Sequence, residues 1–210
     1  MTTDRIVHVI DDDEALRDSL EFMLDAAGLT ARSWESAIPF LAALPGIEPG
    51  CIVTDVRMPD MTGLELVQRL KALVRADPII VITGHADVPL AVEAMKAGVL
   101  DFIEKPFDNQ RLLASVRAAL ARSPDDAAPP QDDETVRDIA GRLASLSARE
   151  RQVLDGLVAG HANKVIAYDL DISPRTVEVY RANVMTKMRA RSLSELIRLV
   201  IAADPARGSI

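Results

Sequence analysis

The chain has 210 residues, a formal net charge of −8 and a single cysteine. That length admits one large domain or two modest ones. The lone Cys51 excludes an intramolecular disulfide and suits a reducing compartment, and no apolar stretch reaches the roughly 20 residues of a membrane helix.

Charge is divided unevenly. Residues 1–139 carry 13 Lys+Arg against 25 Asp+Glu, whereas residues 140–210 carry 11 against 7. An acidic half therefore precedes a basic one, and the basic half is the candidate for nucleic acid. The opening MTTDRIVHVI lacks a basic region, an apolar core and a small-residue cleavage site, so the expectation is a cytoplasmic protein.

In chain order, short apolar runs alternate with amphipathic ones up to residue 121. Strands are predicted at Arg5–Ile10, Leu29–Ser33, Cys51–Asp55, Ile79–Thr83 and Val99–Ile103. Helices are predicted near 13–27, 35–43, 63–74, 87–97 and 109–121. Five β–α units imply an α/β doubly wound parallel sheet with helices on both faces. The run Ile79-Ile80-Val81-Ile82 suits a strand covered on both sides. RSPDDAAPPQDDE (122–134) has almost nothing to bury and reads as a linker. After it, TVRDIAGRLASL (135–146) has Val136, Ile139 and Leu143 at helical spacing.

The remainder is all helical in pattern. LSARERQVLDGLVAG (146–160) opens on a capping box, Ser147 with Glu150. A helix near 163–170, a turn at Asp171-Ile172-Ser173 and a helix capped by Ser173 with Pro174 at its first position make a helix-turn-helix. LSELIRLVIAA (193–203) completes a small bundle. The expected domains are thus 1–121, a partly helical linker at 122–142, and 143–210.

In a sheet of this kind ligands bind beyond the carboxyl ends of the strands, where strand order reverses. Those ends carry Asp11-Asp12-Asp13, then Asp55 followed by VRMPDMTG, then Thr83-Gly84, then Glu104-Lys105-Pro106. Carboxylates gathered at one rim suit Mg²⁺, which favours one or two carboxylates, a carbonyl and water. A hydroxyl and an ammonium add donors for phosphate oxygens, so the set reads as a phosphoryl-accepting site with a carboxylate nucleophile. Asp13 also stands where a helix N-cap belongs, and capping is the expectation for it. His8 and His85 flank the rim without the spacing of transition-metal ligands.

The motifs IDDDE, TDVRMPDMTG, VITGHADVPLAVEAMKAG and DFIEKPF resemble, in order, the receiver domain of bacterial two-component response regulators over about residues 1–121. The resemblance implies that Asp55 accepts a phosphoryl group from a sensor histidine kinase. It implies Mg²⁺ held by Asp12 and Asp55, by Asp11 directly or through water, and by the backbone carbonyl of Arg57. Thr83 matches the hydroxyl that closes on the phosphate and Lys105 the cation that grips it. Lys105-Pro106 matches a cis bond, and Phe102 stands for the aromatic switch residue, here without a phenolic hydroxyl. Strand order 2-1-3-4-5 is implied in the same way.

Residues 143–203 resemble the LuxR-type DNA-binding domain, and the pairing resembles the FixJ/NarL group. ISPRTVEVYRANVM sides with the FixJ branch, which implies an oxygen-responsive, haem-containing kinase and control of microaerobic or nitrogen-fixation genes. On the second helix Val177, Val184 and Met188 should pack inward, while Arg175, Glu178, Val179 and Ala182 face the major groove beside Thr176. Asp171 replaces a common turn glycine and tolerates the left-handed conformation. Glu178 either accepts from cytosine N4 or pairs with Arg175 or Arg181. Lys164, Arg181 and Lys187 are the expected phosphate contacts.

The implied partners are the kinase, a double-stranded DNA operator, a second copy through the 87–121 face after phosphorylation, and RNA polymerase as a candidate; no membrane is involved. Three rivals carry less. A D-x-D phosphatase would need an acid where Arg57 stands. A small-molecule sensor would not show five β–α units with an acidic rim. A phosphate sink would carry a vestigial helix-turn-helix. The chain is expected to be a phosphoryl acceptor, not a turnover enzyme.

Overall fold

The computed structural model describes residues 6–73, 75, 77–84, 88–122 and 133–203, with side chains from 137 in the last segment. Arg5, His85, Val136 as a side chain and most of the expected linker therefore lie outside the described residues. The chain divides into two compact units, each taken by itself.

The first is built on β1 (Ile6–Ile10), β2 (Ala31–Trp34), β3 (Gly50–Asp55), β4 (Ile79–Thr83) and β5 (Asp101–Glu104). All pair in parallel in the order β2-β1-β3-β4-β5. The helices of this unit are α1 (Glu14–Ala26), α2 (Ala37–Ala43), α3 (Gly63–Ala72) and α5 (Asn109–Ala121), while α4 (Val88–Lys96), which lies between β4 and β5 in the chain, groups with the second unit. β3 and β4 are buried at every residue, which is why they read as continuous apolar runs without alternation.

Alternation does sort β1. Val7 and Val9 join Leu20, Leu24, Val53, Ile82, Leu112 and Val116 in one apolar cluster. His8 points to the opposite face, 1% exposed, with its ring 5.5 Å from Phe40 and 6.2 Å from Trp34. Its Nε2 pairs with the Glu48 carbonyl at 3.0 Å. Burial holds the His8 ring below the ordinary histidine pKa, against the opposing pull of the Glu48 carbonyl. Cys51 is fully buried, and desolvation pushes its thiol far up, so it is an inert core residue.

β2 and β5 start later than expected, each after a glycine in the left-handed region. Gly28 takes φ +76 after α1 and the Leu29 amide donates back to the Leu24 carbonyl, so β2 starts two residues late and ends on Trp34. Gly98, at φ +82, likewise precedes β5, and the strand runs 101–104 instead of 99–103.

The second unit includes α6 (Asp133–Ala144), α7 (Ala148–Val158), α8 (Asn163–Asp169), α9 (Pro174–Met188) and α10 (Leu193–Ala203). Its core holds Val153, Leu154, Leu157, Ile166, Val177, Val184, Met188, Leu196, Ile197 and Val200. The three residues expected to face inward from α9 are each 0% exposed. The capping box of Ser147 and Glu150 forms as expected, Ser173 caps α9 at the Thr176 amide, and Asp171 sits at φ 54 in the turn. α6 crosses the expected boundary at residue 142: Ile139 is 3% exposed and Arg142 donates to the Met188 carbonyl at 3.1 Å. This helix is therefore packed into the helical unit, not free beside it.

Candidate functional site

Because β1 and β3 are neighbours whose chains continue in opposite directions across the sheet, their carboxyl ends lie at the reversal of strand order. Asp11 and Asp55 stand there. Asp11 is 1% exposed. Its Oδ1 accepts the Asp13 amide at 2.9 Å and its Oδ2 the Lys105 ammonium at 2.8 Å, while Arg17 donates to its carbonyl at 2.8 Å. The Asp55 Oδ2 accepts the Arg57 amide at 2.9 Å. The Asp55 Oδ1 is buried, lies 3.1 Å from the Lys105 Nζ, and makes no hydrogen bond with proper alignment.

The crowded aspartates thus separate into different positions. Asp13 caps α1 by accepting from the Ala15 and Leu16 amides. Asp12 is exposed, outside the buried set. The residue that ties Asp11 to Asp55 is Lys105, brought in from a third segment. Its backbone amide donates to the Thr83 carbonyl at 2.8 Å, and its bond to Pro106 is cis. Thr83 is fully buried at the end of β4, and Phe102 is 7% exposed.

Electrostatics follow from that enclosure. Burial raises the Asp55 carboxyl above the usual carboxylate range, with the nearby Asp11 charge adding to the effect and Lys105 opposing it. Burial alone would lower the Lys105 ammonium, but its hydrogen bond to Asp11 and the charges of Asp11 and Asp55 leave it raised. Lys105 is therefore a permanent cation at neutral pH, aimed at an oxygen that has no other partner.

Among the described residues no group of three or more His, Cys, Asp and Glu closes into a metal cage. Mg²⁺ does not need one, since it keeps several waters and takes one or two carboxylates. Asp55, whose buried Oδ1 faces only the Lys105 ammonium, is the donor that fits it best, and the hard oxygen chemistry of Asp11 and the exposed Asp12 suits the same ion.

Gly63 was not singled out from sequence, although it lies in the quoted TDVRMPDMTG. A Cβ there would sit 2.2 Å from the Asp55 carbonyl oxygen, so only glycine lets the start of α3 lie against the Asp55 backbone. Arg17 was missed too, because a helix-surface arginine carries no signal of which carbonyl it will meet.

In the helical unit, Arg175, Glu178, Ala182 and Lys164 are exposed, and Val179 is 56% exposed. Among the described residues Glu178 makes no ion pair with Arg175 or Arg181, despite the helical spacing. Thr176 shares its hydroxyl with Ser173 at 2.8 Å, which places it in the cap. Arg181 is half-buried. Lys187, another expected phosphate contact, is exposed and pairs within the unit: its ammonium lies 2.7 Å from Glu150, whose side chain is 6% exposed. That hydrogen bond, with the Ser147 amide, holds the Glu150 carboxyl below its ordinary range. Sequence reading also passed over Tyr168 and Val165, 87% and 45% exposed on α8. Their offset from the buried Ile166 and Ala167 was the available signal.

The family model for the response regulator receiver domain matches residues 7–117, and that for bacterial regulatory proteins of the luxR family matches 144–200. The chain is 57% identical over 204 residues to the transcriptional regulatory protein FixJ of Bradyrhizobium diazoefficiens, covering 97% of this chain and 98% of that protein. It is 54% identical over 200 residues to FixJ of Rhizobium meliloti, covering 95% and 97%. Among solved structures, full-length FixJ from B. japonicum aligns with a TM-score of 0.54 at 56% identity, over 96% of this chain and 98% of that one.

Proposed function

This chain belongs to the response-regulator family, joining a receiver to a luxR-type DNA-binding domain, and from that premise we propose how its residues do the work of a phosphorylation-dependent transcription regulator. Asp55 accepts the phosphoryl group of a sensor histidine kinase. An Asp55 carboxylate oxygen forms the new O–P bond as the N–P bond of the kinase phosphohistidine breaks. The observation that carries this is the buried Asp55 Oδ1, without a hydrogen bond and 3.1 Å from the Lys105 ammonium. Lys105 offsets the charge of the incoming group, and the Thr83 hydroxyl donates to it.

Asp11, Asp12, Asp55 and the Arg57 carbonyl are the residues that would hold Mg²⁺, which supplies charge neutralisation for the transferring group when bound. The chain is an acceptor and not a turnover enzyme. Residues 1–121 form the receiver, 122–142 the linker and 143–210 the DNA-binding domain. Phosphorylation then draws Thr83 and Phe102 toward the phosphate and remodels the 87–121 face, where two copies meet.

The dimer presents two copies of α9 to two half-sites of an operator. Arg175, Glu178, Val179 and Ala182 face the major groove, with Lys164 and Arg181 toward phosphates. The similarity to FixJ over nearly the whole chain supports control of microaerobic or nitrogen-fixation genes in the cytoplasm, with RNA polymerase as the final partner. No helix among the described residues is long and apolar enough to cross a membrane.

The test is acetyl-phosphate or kinase treatment of the full chain, followed by size-exclusion chromatography and genome-wide binding against Asp55→Asn. The expected outcome is a phosphate-dependent dimer and a set of targets lost in the variant. Unchanged dimerisation together with unchanged DNA affinity would overturn the reading.

A further inference from the structure

The C-terminal end of α9 is held from two other helices. Helix termini leave the last four carbonyls without intrahelical partners. Here Arg189 turns into the left-handed region at φ 54, and the amides of Arg189 and Ala190 reach back to the carbonyls of Thr186 and Met185. That closure costs about 1 kcal/mol for a residue other than glycine, and it does not satisfy Met188. The Met188 carbonyl instead accepts a charged donor from another helix, Arg142 Nη1 at 3.1 Å. One residue earlier, Lys187 binds Glu150 of α7 at 2.7 Å.

Arg142 is itself fixed. Its Nε and Nη2 bind the Asp138 carboxylate one turn earlier on α6, and its side chain is 21% exposed. Two donor directions of a rigid fork are therefore committed before the third meets α9. A cation at a helix C-terminus also favours the dipole. Composition placed Arg142 in the linker, yet the residue spends its charge on the helix that carries Arg175, Glu178, Val179 and Ala182.

We propose that Arg142 is a positioning residue for DNA reading: from α6 it fixes the C-terminal end of α9, and so the angle at which α9 presents its exposed face. The inference rests on the reading of α9 as the recognition helix. Arg142 touches no nucleic acid in this role. Its effect is therefore on discrimination between sequences, not on the sequence-independent attraction to phosphate.

The experiment uses the full-length phosphorylated chain and two probes, a duplex selected by the wild type from a random pool and a scrambled duplex of the same composition. Arg142→Ala should weaken binding to the selected duplex about tenfold, equivalent to about 1.4 kcal/mol. Binding to the scrambled duplex and the salt dependence of both should stay within about twofold. Arg142→Lys keeps a cationic donor for the Met188 carbonyl and should recover most of the discrimination. It also serves if the alanine variant does not fold. A wild-type ratio of selected to scrambled affinity in both variants would overturn the proposal. So would equal losses on the two probes, which mark a purely structural role, or a weakened salt dependence, which marks a phosphate contact. Failure of the wild type to select any duplex would sink the reading of α9 itself, a separate result.

Discussion

Lys105→Met retains the length of the side chain and deletes the ammonium. The ammonium has two partners, Asp11 Oδ2 at 2.8 Å and Asp55 Oδ1 at 3.1 Å, whose side chains are 1% and 9% exposed. Without it, Asp11 keeps only the Asp13 amide on its carboxylate and Asp55 only the Arg57 amide. Removing one partner of a buried ion pair costs about 3–5 kcal/mol. Lys105 itself is 23% exposed, so water replaces part of the interaction and the loss should be about 2–3 kcal/mol. For a domain of this size that corresponds to a melting point lower by about 8–12 °C.

Trp34 is the chain's only tryptophan and lies in β2, so its fluorescence reports unfolding of the sheet apart from the helical unit. The melt is run in EDTA. Adding Asp55→Asn to Lys105→Met removes one of the two uncompensated charges and should recover about half of the loss. A loss in EDTA below about 0.5 kcal/mol would refute the reasoning, because two buried carboxylates would then need no cation.

Other variants probe neighbouring features. Gly63→Ala puts a methyl against the Asp55 carbonyl oxygen; it should lower stability by about 1–3 kcal/mol and slow acetyl-phosphate labelling, and an unchanged labelling rate would contradict the close approach. Asp13→Ala leaves the Ala15 and Leu16 amides uncapped and should cost about 1 kcal/mol in a urea titration followed at Trp34. His8 has a native pKa below its ordinary value because it is buried, with Asp77, Arg32 and Arg75 as charged neighbours and the Glu48 carbonyl as its hydrogen-bond acceptor. The unfolded chain therefore takes up a proton that the native state refuses as pH falls below about 6.5, and stability declines there. His8→Phe, compatible with the Trp34 and Phe40 rings, should remove that part of the slope between about pH 6.5 and 5. Equal slopes in the two proteins would count against a neutral buried imidazole.

Legibility from sequence followed the range of the interactions. The carboxyl ends of β1, β3 and β4, the Asp13 cap and the Ser147–Glu150 box depend on neighbours within a few residues, and motif reading reached them. Asp55, Thr83 and Lys105 became legible as a set because a parallel sheet brings strand ends to one rim. What escaped was set by pairings across long separations. Arg142 chose a carbonyl 46 positions away. Nothing near the exposed Lys187 in sequence announced its pairing with the enclosed Glu150, 37 positions away. The two-residue shift of β2 came from a glycine turn that periodicity does not register.

Both edges of the sheet are four-residue strands, β2 and β5. Arg32 lies over the Trp34 ring at 4.3 Å on one, and Asp101 and Glu104 bracket the other. Short edges carrying charge give a poor template for another molecule's strand. The segment prone to self-association is instead IIVIT at the sheet's interior, which is covered in the native state. Aggregation of this protein should therefore begin from opened molecules. Its onset on heating should follow the order of melting temperatures across variants, with Lys105→Met precipitating first.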